Sequence, residues 1–243
     1  MMGSRILVLG ASSAIGAAVV RAVAGPGDTV AAHYGAGLGR VEALADCGAE
    51  IIPVQADLAD PAQLAAMLDW VADMWGCPDK IAHLPSPKLV FTRFKDLVWD
   101  DVAAHLDVGV RSAFETFSRF LPLMAKNRYG RVVVVLSSCT VGVPPASMAQ
   151  YVTAKYALLG LVRAAAAEYV AKGVTVNAVS PSMVETPLLS QVPEKLVELA
   201  AEAHPLGRNA LPGDVAPLVR LLLSDEAAYM NGLNIPVTGG VRV

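Results

Sequence analysis

Tyr151 and Lys155 stand four residues apart in the stretch Tyr-Val-Thr-Ala-Lys. On a helix this spacing places a phenol and an ammonium one turn apart on the same face. The residues that follow, Ala157, Leu158, Leu161, Val162 and Ala165, carry the helical repeat. A free tyrosine ionises near pH ~10, but an adjacent cation favours the phenolate and lowers that value, which would make Tyr151 a general acid or base. Ser138 follows an apolar run, residues 132–136. A hydroxyl at the C-terminal end of a strand is well placed to hydrogen-bond a substrate oxygen. Ser138, Tyr151 and Lys155 are therefore the candidate catalytic residues.

Such a trio needs a scaffold that brings strand ends and helix starts together. Residues 6–9 form a short apolar run, followed by Gly10-Ala-Ser-Ser-Ala-Ile-Gly16 and the helical repeat Ile15, Val19, Val23. That is strand, tight turn and helix, whose free N–H groups and positive helix end suit a phosphate or pyrophosphate. Gly10, Ser12, Ser13, Ile15 and Gly16 are the candidate contacts. At the end of the second run, 29–33, a dinucleotide fold would carry an acid for the adenosine ribose. His33 and Arg40 stand in that region instead, and with Ser12 they favour a 2′-phosphate, so NADP(H) is expected, with NAD(H) as the alternative.

A third run, 51–54, leads to Asp57 and Leu58, where the carboxylate could meet an adenine amino group or cap the helix starting near Pro61. In that helix Leu64, Met67, Leu68 and Val71 read as core. The fourth run, 80–84, ends at His83 and Leu84 on the ligand-facing edge; His83 is either a titrating neighbour of the site or a structural histidine. A long helical region spans about 100–124, a fifth run 131–136 and a sixth 174–179. Backbone around Pro181, Ser182, Val184 and Thr186 could contact a nicotinamide carboxamide. Residues 187–204 read as one amphipathic helix covering the substrate, before a helix at 214–224 and a last strand at 234–237. Seven strands alternating with helices imply an α/β fold, a doubly wound parallel sheet with helices on both faces and right-handed crossovers.

The 243 residues, 54% hydrophobic and 17% charged, suit a single domain, 1–243, with a large core. A net charge of −3 argues against nucleic-acid binding as the main task. Apolar stretches break well short of the ~20 residues of a membrane span, and the start of the chain lacks the apolar core of a signal peptide. Three scattered cysteines, Cys47, Cys77 and Cys139, indicate neither a disulfide framework nor a metal cluster, and a cytoplasmic protein is expected. Cys139 reads as a small buried thiol.

With these residues in view, the sequence resembles the classical short-chain dehydrogenases/reductases from about residue 5 to the C-terminus. The resemblance rests on the joint spacing of Gly10 to Gly16, Ser138, Tyr151, Lys155, residues 177–186 and residues 231–240. It implies a Rossmann fold, a nicotinamide cofactor and a homotetramer or homodimer. In the roles it implies, Tyr151 is the acid/base, Lys155 binds the nicotinamide ribose and lowers the tyrosine pKa, and Ser138 orients the carbonyl.

The subgroup it most resembles is the β-ketoacyl-carrier-protein reductases, which implies a small-molecule or carrier-bound carbonyl substrate; Arg128 and Lys172 are then either solvated surface charge, the favoured reading, or contacts for an acidic carrier or a pantetheine phosphate. Departures from the family pattern are Leu9, Ala14, the segment His83-Leu-Pro-Ser86, Pro181-Ser182, and Gly109 where the family has a relay asparagine. The leading expectation is an NADPH-dependent ketone reductase, its substrate apolar or a 3-oxoacyl thioester, with Pro145, Met148, Met183 and Leu188 at the pocket. The alternatives are an NAD-dependent alcohol dehydrogenase working oxidatively, or a cofactor-binding assembly subunit with weak or no catalysis.

Overall fold

A computed structural model describes residues 3–241. Met1 and Met2, at the start of the chain that was read as lacking a signal peptide, lie outside the described residues. Seven strands form one parallel sheet: β1 (Arg5–Leu9), β2 (Thr29–Tyr34), β3 (Glu50–Gln55), β4 (Lys80–His83), β5 (Gly130–Val135), β6 (Val174–Pro181) and β7 (Asn234–Val237). Their order is β3-β2-β1-β4-β5-β6-β7. The chain winds outward from β1 to β3, then restarts on the other side of β1 and runs on to β7. The reversal between β1 and β4 is the switch point at which open α/β sheets bind ligands, beyond the C-terminal strand ends.

Burial explains the apolar runs. Every residue of β5 and β6 is buried, as expected where helices cover both faces of a parallel sheet. On one face lie α1 (Ala14–Val23) and, near the C-terminus, α8 (Pro212–Leu222), which pack Val19, Val20, Val215 and Val219 against the sheet. The other face carries α3 (Pro61–Trp75), α5 (Ser112–Lys126) and α6 (Ala149–Tyr169). Leu64, Met67, Leu68 and Val71 of α3 join that core as expected. The cap of α3 is Asp60, whose carboxylate accepts from the N–H groups of Ala62 and Gln63, whereas Asp57 accepts from Ala59 N–H in the turn before it.

Two helical expectations are corrected. The region 100–124 is α4 (Trp99–His105), a π-helical segment Leu106–Arg111, and α5. Inside the π segment the Ser112 hydroxyl donates to Val108 O at 2.5 Å, which occupies the carbonyl that a regular α-helix would hand to the Ser112 N–H. Residues 187–204 are not one helix but a short 3₁₀ turn, Pro187–Gln191, and α7 (Glu194–Ala203). Pro193 stands at the break, where its missing N–H cannot continue a helix.

Candidate active site

The turn between β1 and α1 is built so that little but backbone fits in it. Gly10 has φ +82°, and a Cβ on Gly16 would lie 2.1 Å from Gly10 O, so a side chain there would force the turn open. Ser13 caps α1: its hydroxyl accepts from Gly16 N–H at 2.9 Å and donates to Gly10 O at 2.8 Å. Ala14, the departure from the glycine pattern, is the first residue of α1 and leaves the turn intact.

His33 departs from expectation. It is buried; its Nδ1 accepts from Gly10 N–H at 3.0 Å, so its Nε2–H donates to Ala56 O, also at 3.0 Å. Burial pushes its pKa down. This is a neutral ring that ties the glycine turn to the end of β3, and it is not a cation for a phosphate. Arg40 is exposed in a short helix, α2 (Leu38–Glu42), which follows β2, and its guanidinium reaches Ser12 O at 3.4 Å. Of the two basic candidates, only Arg40 presents charge beside the turn. Asp57 is exposed near the same edge, and Leu58 is buried in the core.

At the other end, Tyr151 and Lys155 open α6 as the spacing predicts. The Lys155 ammonium, almost wholly buried, donates to Val135 O at 3.0 Å and lies 5.6 Å from the centre of the Tyr151 ring. Burial brings its pKa down to about 8. The Tyr151 phenol is pushed up, because burial outweighs a hydrogen bond with Ser137. The ammonium is drawn to the strand carbonyl and stands beside the ring.

The Ser137 hydroxyl, which bears on the phenol, also accepts from Cys139 N–H at 3.4 Å. Ser137 extends β5 with φ −166°, and Ser137 and Ser138 face the same cavity. Below them a buried polar cluster ties the ends of β5, β6 and β7 together. Thr140 Oγ1 donates to Ser137 O at 2.8 Å, Ser180 donates to Asn234 Oδ1 at 2.6 Å, and Asn234 Nδ2 returns to Thr140 at 3.0 Å.

One cavity of about 460 Å³ joins the two ends, within the range of small-molecule sites. It brings together Ile15, Leu84, Ser138, Tyr151, Lys155, Pro181, Ser182, Val184 and Thr186 of the expected contacts, with Pro145, Met148, Met183 and Leu188 on its apolar wall. Gly10, Ser12, Ser13 and Gly16 shape the turn at its far end. His83 is fully buried and outside the cavity wall; its Nε2 meets Ser112 Oγ at 2.7 Å, and its pKa falls to about 3 through burial and Lys155. It is a structural histidine.

The 3₁₀ turn contributes Leu188, Leu189 and Val192, packed with Leu89, Met148 and Tyr151. No residue of α7 is buried, so that helix rests lightly over the rim. Arg128 and Lys172 precede β5 and β6, at the opposite end of the sheet from the cavity, and cannot receive a carrier at its mouth.

Sequence reasoning missed His105, which is buried at the end of α4, its ring edge-on to Tyr151 with centroids 6.1 Å apart. The signal for it was a histidine three residues after Val102 in a helical region.

Residues 10–242 match the family model described as enoyl-(acyl carrier protein) reductase. The 3-oxoacyl-[acyl-carrier-protein] reductase FabG of Staphylococcus aureus is 31% identical, over 99% of this chain and 98% of its own. Among solved structures, levodione reductase superposes with a TM-score of 0.90 at 24% identity, covering 99% of this chain and 98% of its own. A protein from Beutenbergia cavernae, provisionally assigned as an NAD(P)-dependent gluconate 5-dehydrogenase and holding NADP at low occupancy, superposes with a TM-score of 0.89 at 28% identity, over 99% and 97% of the two chains. Among the described residues, no helix is long and apolar enough to cross a membrane, and no group of metal ligands occurs.

Proposed function

The chain belongs to the short-chain dehydrogenase/reductase family of oxidoreductases, and from that premise we propose that it reduces an apolar ketone to a secondary alcohol with NADPH. The observation that carries the reading is a Tyr151 phenol whose pKa is pushed up by burial, one helical turn from the buried Lys155 and on the wall of a mostly apolar cavity. A protonated phenol is the form a reductase needs, since Tyr151 gives its proton to the carbonyl oxygen. Ser138, with Ser137 beside it on the cavity wall, holds that oxygen.

A dinucleotide fits the residues present: glycine at 16 lets the turn close tightly on the start of α1, whose positive end suits a pyrophosphate, and Arg40 stands beside Ser12 for a 2′-phosphate. When bound, the nicotinamide supplies the hydride. Lys155 is anchored through Val135 O and keeps two further N–H groups for the ribose, while backbone at Pro181 to Thr186 borders the nicotinamide end. The FabG relatives and the NADP-bound neighbour agree with this cofactor.

The wall also narrows the substrate. Lys155 is the only lysine, arginine or carboxylate among the described residues lining the cavity, so an acidic substrate would find no cation there beyond the one assigned to the ribose. Leu89, Phe91, Met148 and Leu188 suit an alkyl or ring ketone, or the acyl part of a 3-oxoacyl thioester. The turn and helix over residues 187–205 act as the substrate cover of this single domain. Phe94, Val98, Trp99 and Phe114 expose apolar surface on and around α4 and α5, which supports a homodimer or homotetramer. Three free thiols support a cytoplasmic location.

Calorimetric titration with NADPH and NADH, followed by a ketone panel, tests the reading. Tight NADPH binding, weaker NADH binding and turnover of apolar ketones are expected. Binding of neither nucleotide would overturn it.

A further inference from the structure

His105 is the one buried residue of α4, on a face that packs against α6. An aliphatic side chain would satisfy that position; an imidazole adds two polar nitrogens that must be desolvated. Its ring meets Tyr151 edge-on, with planes at 83°. No hydrogen bond figures among the forces on the ring: burial and the Lys155 ammonium push its pKa down, and Asp101, one turn back on α4, pulls it up. Gly109, one turn ahead, offers no side chain for this role, and a Cβ there would already touch Leu158 at 3.6 Å. The π segment between them is pinned from β4 through His83, Ser112 and Val108 O, which holds the end of α4 in place.

We propose that His105 is the positioning residue of the proton supply: it holds the Tyr151 ring and takes up, from water, the proton that restores the phenol after turnover. The inference rests on the ketone-reductase reading. In that step the phenol O–H breaks as the alcohol O–H forms, leaving a phenolate. A solvent proton then binds the imidazole and passes through water to the phenolate oxygen; no electrons move. The charges facing the ring make the sequence workable. While Tyr151 is a neutral phenol, Lys155 disfavours a second cation; once Tyr151 is a phenolate, the new negative charge favours the imidazolium. Asp101 adds to that pull from α4. Cys139, near Lys155, has its thiol pushed up by burial and stays neutral.

The test compares wild type, Tyr151→Phe, His105→Phe, which keeps an aromatic ring against Tyr151, and His105→Ala. For His105→Phe the expected result is a kcat about tenfold lower with KM unchanged, below the ~10²–10⁴ that a positioned acid supplies. The solvent deuterium isotope effect on kcat should rise, the alkaline decline of kcat should begin at lower pH, and the melting temperature and NADPH affinity should stay at wild-type values. Added imidazole should restore part of the rate of His105→Ala and none of that of Tyr151→Phe. If His105→Phe keeps the wild-type rate, pH profile and isotope effect while Tyr151→Phe is dead, His105 is packing alone and only this proposal falls. If wild type and Tyr151→Phe reduce ketones equally, or neither does, the functional reading falls and this proposal with it.

Discussion

The two ends of the cavity solve opposite problems. At the glycine turn the chain answers its own polar atoms: Gly10 N–H is taken by His33, Gly16 N–H by Ser13, and the far side of His33 by Ala56 O. Selectivity at that end is left to Arg40, an exposed side chain on a short helix. At the catalytic end the groups are buried and incompletely answered. His83 Nδ1 and Gln150 Oε1 have no partner among the described residues, and the Lys155 ammonium is buried. An unpaired buried polar group costs about 1–3 kcal/mol, so one end is a finished mould and the other is less fully satisfied. Substitutions at the catalytic end should therefore have much larger effects.

The largest effect is expected for Tyr151→Phe. Loss of the transferable proton should lower kcat by roughly 10²–10⁴, the contribution of a positioned acid, with NADPH affinity unchanged. A fully active variant would remove the contrast between the two ends. Ser138→Ala comes next, at about 10²–10³ in kcat, the usual loss for one hydrogen bond to a developing oxyanion. Ser137→Ala should cost less, since Ser137 also accepts from Cys139 N–H. The reverse order in steady-state kinetics would move the role to Ser137.

Lys155 tests the same contrast through stability. Its pKa is about 8 folded against an ordinary 10.5, so folding disfavours the charged lysine. Below pH 8 both states are protonated and the penalty is complete. Between pH 8 and 10.5 the unfolded chain holds a proton that the folded protein has lost, so stability rises with pH. The penalty is about 3 kcal/mol, from the ~1.4 kcal/mol that each pKa unit represents. Lys155→Met removes it, so denaturant unfolding of the cofactor-free protein should show the variant's advantage shrinking from pH 8 to 10. Above pH 10 the raised Tyr151 works in the opposite direction, which bounds the usable window. An advantage that is flat with pH would mean that water reaches the ammonium.

These positions also show what is readable in a linear sequence. The strands were legible because a parallel sheet buried on both faces demands unbroken Val, Ile and Ala runs, and the catalytic helix because its apolar repeat begins at Tyr151. His33 looked like a cation because the two backbone groups that hold it neutral come from Gly10 and Ala56, distant in the chain. The break at Pro193 was visible in the residue itself, and the amphipathic pattern on either side overrode it. The π segment had no such marker, since Gly109 reads as an ordinary buried glycine until the Ser112 hydroxyl is placed.

The smallest effect belongs to the finished end. Arg40→Ala should weaken NADPH binding about tenfold, as expected when one charge-assisted contact worth ~1.5 kcal/mol is lost in a solvent-exposed place, and leave NADH binding unchanged. The same contact should weaken with added salt in wild type and not in the variant, because an exposed pair is screened over ~10 Å at moderate ionic strength. His33→Asn is the counterpart: it disturbs the mould, so it should loosen both nucleotides alike and lower the melting temperature. If Arg40→Ala instead weakens both nucleotides equally, Arg40 only supports Ser12, and the preference for the 2′-phosphate must come from backbone. Selectivity would then be set, like catalysis, by groups the chain has already committed, and the division of labour between the two ends would be lost.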